Sequence, residues 1–294
     1  MARKSNLELV YPELSAAMGA YPIKSFTKAK LSIVLVDLLQ QLDFTFNGSP
    51  EKVITFLVKK GDLTESTINS IDAREVKLYT WRSKDEMTIL SGLVNNSYYS
   101  FYTSLFLHQL TLQIPKTYYL NFEHSKLSVA NRIQQPVLTQ ENIDAAFSKP
   151  QRKSAKHYFQ GDKKIVITNG RFTNELGVIS VNNGELSYRY TDLERTLIDI
   201  AIRPSYSGGV TEVLRAYELA KEKADIQKLR NYLTQMDFIY PYHQVIGFYL
   251  EKAGYSEQVQ HLFASDQQYR FYLTYTIKNP VYSTKWNLVY PSGL

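Results

Sequence analysis

Between Tyr190 and Gly209 the sequence YTDLERTLIDIAIRPSYSGG compresses a helix start, an apolar stripe and a helix stop into one segment, and the rest of the chain has to bury that stripe. Thr191 followed three residues later by Glu194 reads as a capping box, hydroxyl and carboxylate each taking an orphan amide of the first turn. Leu193, Leu197, Ile198, Ala201 and Ile202 recur at helical spacing, and Pro204 with Gly208 and Gly209 ends the segment. Arg195 and Asp199 stand four apart on one face, where they are placed to pair.

Taken from its beginning, the chain predicts a short helix over Leu7 to Met18, interrupted by Pro12, and a turn at Tyr21-Pro22. Leu31, Val34, Leu35, Leu38 and Leu39 form the stripe of a helix within Thr27 to Leu42. After the break at Asn47-Gly48-Ser49-Pro50, Ser49 as cap and Pro50 in the first turn open a helix with Val53, Ile54, Leu57 and Val58 on its apolar face; Gly61 ends it. A third short helix is expected over Thr64 to Ile71 and a strand over Val76 to Trp81. Helices followed by a strand carrying Arg74, Lys77 and Arg82 match a winged helix-turn-helix, with one helix for the major groove and a basic wing for phosphates. Lys52, Lys59 and Lys60 join those three as candidate DNA contacts. A helical subdomain whose lysines are merely solvated fits the same residues.

Beyond the polar step Ser83 to Glu86, a helix from Tyr98 to Leu110 carries an aromatic stripe that reads as core, since no arginine is interleaved for base stacking. Strands are expected over Thr117 to Phe122, Lys163 to Thr168, Leu176 to Val181 and Leu186 to Tyr190, the last two joined by a tight turn at Asn183-Gly184. Gln134 to Lys149 holds a polar stretch and a short helix. Helices follow over Val210 to Lys223, Ile226 to Met236 and Tyr242 to Ala253, then strands over Gln268 to Ile277 and around Trp286, Leu288 and Tyr290. Helices and strands mix without regular alternation. The fold class is therefore α+β, an N-terminal winged-helix-like helical domain over residues 1–87 followed by a larger mixed α/β-sheet domain over residues 88–294.

A net charge of +6 favours an anionic partner, whether nucleic acid or an acidic protein surface. The run Gln151 to His157 with Arg152, Lys153 and Lys156, together with Arg215, Lys221 and Lys223, forms the set of partner-facing candidates. No signal peptide is read at the N-terminus and Asp37 interrupts the apolar run Ile33 to Val36, so a cytoplasmic protein without membrane contact is expected. Zero cysteines exclude disulfides, thiolate metal sites and cysteine nucleophiles. The five histidines are scattered, and His108, on an apolar helix, reads as a hydrogen-bonded core residue. No phosphate-binding glycine loop or nucleophile elbow is present, and no catalytic residue, metal or cofactor is expected. Asp192, Glu194 and Asp199 are the close carboxylates, accounted for by cap and ion pair.

The segments TDLERTLIDIAIRP and YSGGVTEVLRAYELA resemble the signature of the AbiEi family of antitoxins from bacterial type IV toxin–antitoxin systems. LVNNSYYSFYTSLFLHQLTLQIPKTYYL, HQVIGFYLEKAG and the closing YSTKWNLVYP are similar to further segments of that family, with Gln109 where a glycine is usual. The resemblance runs from about residue 85 to the end; the N-terminal NSIDAREVKLYTWRS lacks the family's Arg-Gly-x-Tyr wing. It implies an antitoxin motif comprising Thr191, Asp192, Glu194, Arg195 and Asp199. It also implies a non-enzymatic antitoxin and transcriptional autorepressor of a phage abortive-infection operon. Such a protein binds its own promoter DNA and counters an AbiEii-like nucleotidyltransferase toxin, directly or functionally. The alternative class is an enzyme-like C-terminal domain that modifies a partner protein or a nucleotide.

Overall fold

A computed structural model of the chain describes residues 6–44, 48–125, 137–265 and 267–294. Asn47 of the break and the segment Gln134 to Pro136 lie outside the described residues. The chain divides into two compact units, the first made of Met1–Tyr98, Lys156–Ile165 and Ser180–Arg189, the second of Tyr99–Ala155, Val166–Ile179 and Tyr190–Leu294.

The first unit opens with helix α1 (Asn6–Ala20), which continues unbroken through Pro12. The expected interruption is absent because Val10, Leu14 and Met18, one above the other at four-residue spacing, are all buried. Burying three such side chains, about 1.5–3 kcal/mol each, outweighs the roughly 3 kcal/mol that an interior proline costs. The buried Lys24 then donates from Nζ to the carbonyls of Gly19 and Met18 at 2.5 and 3.4 Å, so it caps the end of α1. Burial lowers its pKa.

Strand β1 (Ser25–Thr27) leads into α2 (Lys28–Gln41), whose first turn is capped by the Thr27 hydroxyl accepting from the Lys30 amide. The stripe Leu31, Val34, Leu35, Leu38 and Leu39 is buried as its spacing requires. Helix α3 (Pro50–Lys60) begins at Pro50 and ends on Gly61 at φ +84°, but Ser49 makes no side-chain cap. Strands β2 (Leu63–Ser70) and β3 (Glu75–Trp81) complete an order of helix, strand, two helices and two strands, with β1 and β2 both antiparallel to β3. That is the connectivity of a winged helix. The third helix expected over Thr64 to Ile71 is β2 instead. Its residues pair continuously with β3 from Leu63 opposite Trp81 to Asn69 opposite Glu75. Thr64, Thr67 and Ile68 are β-branched and fit a pleated surface better than a helix. Strand β6 (His157–Gln160) lies antiparallel to the end of β2, so the edge of the wing hairpin is covered. A short helix, α4 (Glu86–Ser91), is capped by Asp85, which accepts from the Thr88 amide at 2.7 Å.

The second unit is organised around α7 (Leu193–Ile202), in which Leu197, Ile198, Ile200 and Ala201 are all buried. It packs against α5 (Phe101–Leu107), α8 (Val210–Ala220), α9 (Ile226–Met236) and α10 (Tyr242–Lys252). Around them stand β5 (Thr117–Glu123), α6 (Gln140–Phe147, capped by Thr139) and α11 (Glu257–His261). The aromatic helix begins later than its spacing suggests. Tyr98–Tyr99 form strand β4, with Tyr99 parallel to Tyr190, and Ser100 in extended conformation starts the helix.

Strands β7 (Lys163–Gly170), β8 (Val178–Asn183) and β9 (Leu186–Thr191) complete the larger sheet, whose order among the described residues is β1-β3-β2-β6-β7-β5-β4-β9-β8. Gly184, at φ +70°, makes the expected turn between β8 and β9. The fold is α+β, with N-terminal helices and a large mixed sheet.

The expected strand Gln268 to Ile277 shrinks to β10 (Phe271–Tyr272), which joins β11 (Pro280–Ser283) and β12 (Leu288–Pro291) in a small sheet. The alternating aromatics are spent on packing: Tyr272 and Tyr275 both stack on Phe147, and the backbone turns after Tyr272. Trp286 is fully buried beside α10, with its indole N–H donating to Glu251. A Cβ on Gly247 would sit inside the Trp286 ring. Gly247→Ala is therefore expected to destabilise this unit by about 1–3 kcal/mol through overpacking, read as a lower melting temperature. An unchanged melting temperature would show that the ring has room to move.

Candidate functional site

The motif segment builds a buried polar network at the start of α7. Strand β9 carries the chain to Thr191, and Asp192 is the residue that caps the helix, its Oδ1 accepting from the Arg195 amide at 2.9 Å. The capping box expected from Thr191 and Glu194 is not formed. The Thr191 hydroxyl donates to Ser104 at 3.0 Å and lies 2.7 Å from the Thr196 hydroxyl, which ties the helix start to α5. Glu194 is drawn away to α9, where it accepts from the Asp225 amide at 2.9 Å and pairs with Lys228 at 2.9 Å. The cap is displaced by one residue because the strand lasts one residue longer.

His108, half-buried at the end of α5, lies 2.8 Å from the Thr191 carbonyl oxygen, the hydrogen bond its position suggested. Burial lowers its pKa. Arg195 is buried and pairs with Asp199 at 2.9 Å, the expected contact across one turn. Its guanidinium also donates to the Thr173 hydroxyl at 3.0 Å and the Leu176 carbonyl at 2.6 Å, and it lies 4.0 Å from Glu123. Burial raises the pKa of Asp199, against the pull of Arg195.

Four members of this network escaped the sequence reading. Glu123, at the end of β5, accepts from the amides of Thr173 and Glu175 at 2.7 and 3.1 Å and so fixes the turn that Arg195 reads. Thr173 is itself a second such member. Lys228 bridges Asp192 at 3.0 Å and Glu194 at 2.9 Å, and Tyr232 donates to Asp192 at 2.9 Å. Burial works against the Lys228 charge, yet the hydrogen bonds and charges of Glu194 and Asp192 outweigh it and hold its pKa above the ordinary lysine value. The one available signal was an acid closing a largely apolar strand, TYYLNFE. Gly177 completes the enclosure: at φ +70°, any Cβ there would press on Arg195, Tyr232 and Asp192. Cations and amides thus satisfy the motif carboxylates and, with the Thr191 hydroxyl on Ser104, hold α5, α7, α9 and the 173–177 turn together.

In the first unit, α3 turns Val53, Ile54 and Leu57 inward, leaving Lys52, Thr55 and Lys59 on its outer face. Among the described residues, no carboxylate lies within ion-pair distance of Lys52 or Lys59. Lys60 stands 3.9 Å from Glu8 and over the rings of Tyr11 and Phe56. On the wing, Arg74 pairs with Asp72, and Lys77 with Glu65 at 2.7 Å. Hydrogen bonding to Lys77 holds the Glu65 carboxyl below its usual value. Arg82 folds inward onto Asp62 at 2.8 Å and Ser15 at 2.9 Å, joining the end of β3 to α1. The six candidate contacts therefore separate into two unpaired lysines on α3 and four residues with intramolecular partners.

Of the partner-facing candidates, Arg152 and Lys153 are exposed in the segment before β6, and Lys156 stands at its end. Arg215 and Lys223 are exposed on and just beyond α8, and Lys221 donates to the Gly254 carbonyl at 2.6 Å. Among the described residues no helix is long and apolar enough to cross a membrane.

No family model matches the chain, and no curated protein does. The fold is similar to the crystal structure of the RV2827C protein from Mycobacterium tuberculosis, with a TM-score of 0.53 and 12% sequence identity. That likeness covers 96% of this chain and 91% of the other. The two share a fold over nearly their whole lengths, although few residues are common.

Proposed function

We propose that the chain is a non-enzymatic antitoxin and transcriptional autorepressor of a type IV toxin–antitoxin operon, as its resemblance to the AbiEi family implies. The observation that supports the reading most directly is the winged-helix order of the first unit, with the unpaired Lys52 and Lys59 on the outward face of α3. In that geometry α3 is the helix offered to the major groove. Arg74 and Lys77 on the wing have partners, but both pairs are exposed, and such pairs hold weakly enough to be exchanged for phosphates. The second unit would counter a nucleotidyltransferase toxin of the AbiEii kind. Arg215 and Lys223 offer positive charge there to an acidic partner.

The full chain, produced from a foreign promoter, is expected to restore growth of cells making the product of the adjacent gene. It should also bind the DNA upstream of its own operon with an affinity that falls steeply with salt. A Lys52→Glu, Lys59→Glu variant should lose about two units of that salt slope while still protecting the cells. Growth that the folded wild-type chain does not restore would overturn the antitoxin reading. Equal binding by variant and wild type would remove α3 as the DNA contact.

A further inference from the structure

The second unit contains a cavity of about 640 Å³ beside the C-terminal half of α7, outside the promoter-binding and toxin-countering roles proposed above. Its size falls within the range of small-molecule sites, roughly 300–1,000 Å³. The lining is lopsided in charge. Arg152, Arg171, Arg195 and Arg203 face one acid, Asp199, and Arg195 already holds it. Three guanidinium groups are thus left over. Arg171 spends one N–H on the Asp237 carbonyl at 2.5 Å, and Arg203 lies 5.7 Å from the Tyr206 ring. Among the described residues none of the three has a carboxylate within ion-pair distance.

Arg203 is held in place by its position. Its amide donates to the Asp199 carbonyl at the end of α7, and Pro204 stops the helix there. Arg152 comes from the loop fixed by Ser154, whose amide donates to the Tyr206 hydroxyl at 2.7 Å. The lining also carries aromatic rings, with Phe238 and Tyr242 in edge contact at 5.2 Å and Tyr240 beside them.

From this juxtaposition we propose that the cavity binds a nucleoside phosphate, its phosphate held by Arg152, Arg171 and Arg203 and its base against Phe238 and Tyr240. Planar guanidinium groups match phosphate oxygens with paired hydrogen bonds, which a lone lysine cannot do. Aromatic faces accept any base by stacking, so the geometry selects the class rather than the base. A free nucleotide and the 5′-phosphorylated end of an RNA strand present the same chemistry.

The test is titration calorimetry on the full chain with the four ribonucleoside 5′-monophosphates and triphosphates, inorganic phosphate, and a short RNA with and without its 5′-phosphate. At least one nucleotide should bind saturably. Arg152→Gln with Arg203→Gln should weaken that binding 100-fold or more, each exposed arginine giving about tenfold. Phe238→Leu should weaken nucleotide binding about tenfold while leaving inorganic phosphate unchanged. Circular dichroism and the melting temperature confirm that the variants are folded. Preference for the phosphorylated RNA over every free nucleotide assigns the site to a strand end, and the reverse assigns it to a free nucleotide. Absence of saturable binding by every probe, or binding unchanged in the double arginine variant, would overturn the proposal. Inorganic phosphate binding as tightly as any nucleotide, with Phe238→Leu without effect, would overturn the nucleoside part. Neither result bears on growth rescue or promoter binding.

Discussion

Replacing Arg195 by leucine is expected to cost the second unit about 3–5 kcal/mol, because it strands a buried carboxylate rather than removing a pair. Arg195 is 5% exposed and satisfies Asp199, Thr173 and the Leu176 carbonyl at once. Leucine fills much of the volume but leaves Asp199 without its cation and Glu123 without its neighbouring charge. The loss should depend on pH, and its sign follows from Asp199. Burial raises the folded-state pKa of this carboxyl above its unfolded value, so the folded state binds the proton more tightly. The stabilisation that comes with protonation is fully present below the unfolded carboxylate pKa, and it is lost as pH rises through the folded value. Without Arg195 the folded pKa rises further. The deficit of the variant should therefore be largest at neutral pH and shrink as pH falls and Asp199 takes up its proton.

One tryptophan sits in each unit, Trp81 in the first and Trp286 in the second. Urea unfolding followed by Trp286 fluorescence in a Trp81→Phe background reads the second unit alone. A transition midpoint unmoved at neutral pH would show that the network contributes nothing to stability.

Leu197→Ala is expected to cost about 2–5 kcal/mol in the same assay, from lost burial and the cavity left behind. Leu197 is fully buried in α7, and the Tyr217 hydroxyl donates to its carbonyl at 3.0 Å, so α8 is fastened to the same turn. Surrounding helices on several sides limit how far the site can collapse, which favours the upper part of that range. Leu219→Ala on α8 is the control, since that leucine is 40% exposed and its loss should stay within about 0.5 kcal/mol. Equal effects from the two substitutions would mean that α7 is not the centre of the core.

What could be read without the structure was local in origin. The stripes of α2, α3 and α7 bury most of the side chains that their spacing indicated, since a 3.6-residue period leaves one face for the core, while Val58, expected on the apolar face of α3, stays 37% exposed. Gly61 and Gly184 act where their chemistry placed them, because turn conformations depend on a few adjacent residues. Arg195 with Asp199 was legible for the same reason, the two lying one turn apart.

Only the tertiary structure decided the features that depend on a distant partner. Leu63–Ser70 is a strand because β3 pairs with it, and Gln268 to Ile277 is mostly not a strand because its aromatics stack on Phe147. Thr191 and Glu194 gave up the cap to Asp192 since Ser104 and Lys228, far away in sequence, offered them stronger partners. Lys52 was separated from Arg82 in the same way, by whether folding brought an acid within reach. The sequence by itself determined most of the helices and most of the faces they bury, because propensity and periodicity act between neighbours. Where each polar group spends its hydrogen bonds was left to the folded chain, since burial makes an unsatisfied group costly and the nearest partner in space then decides.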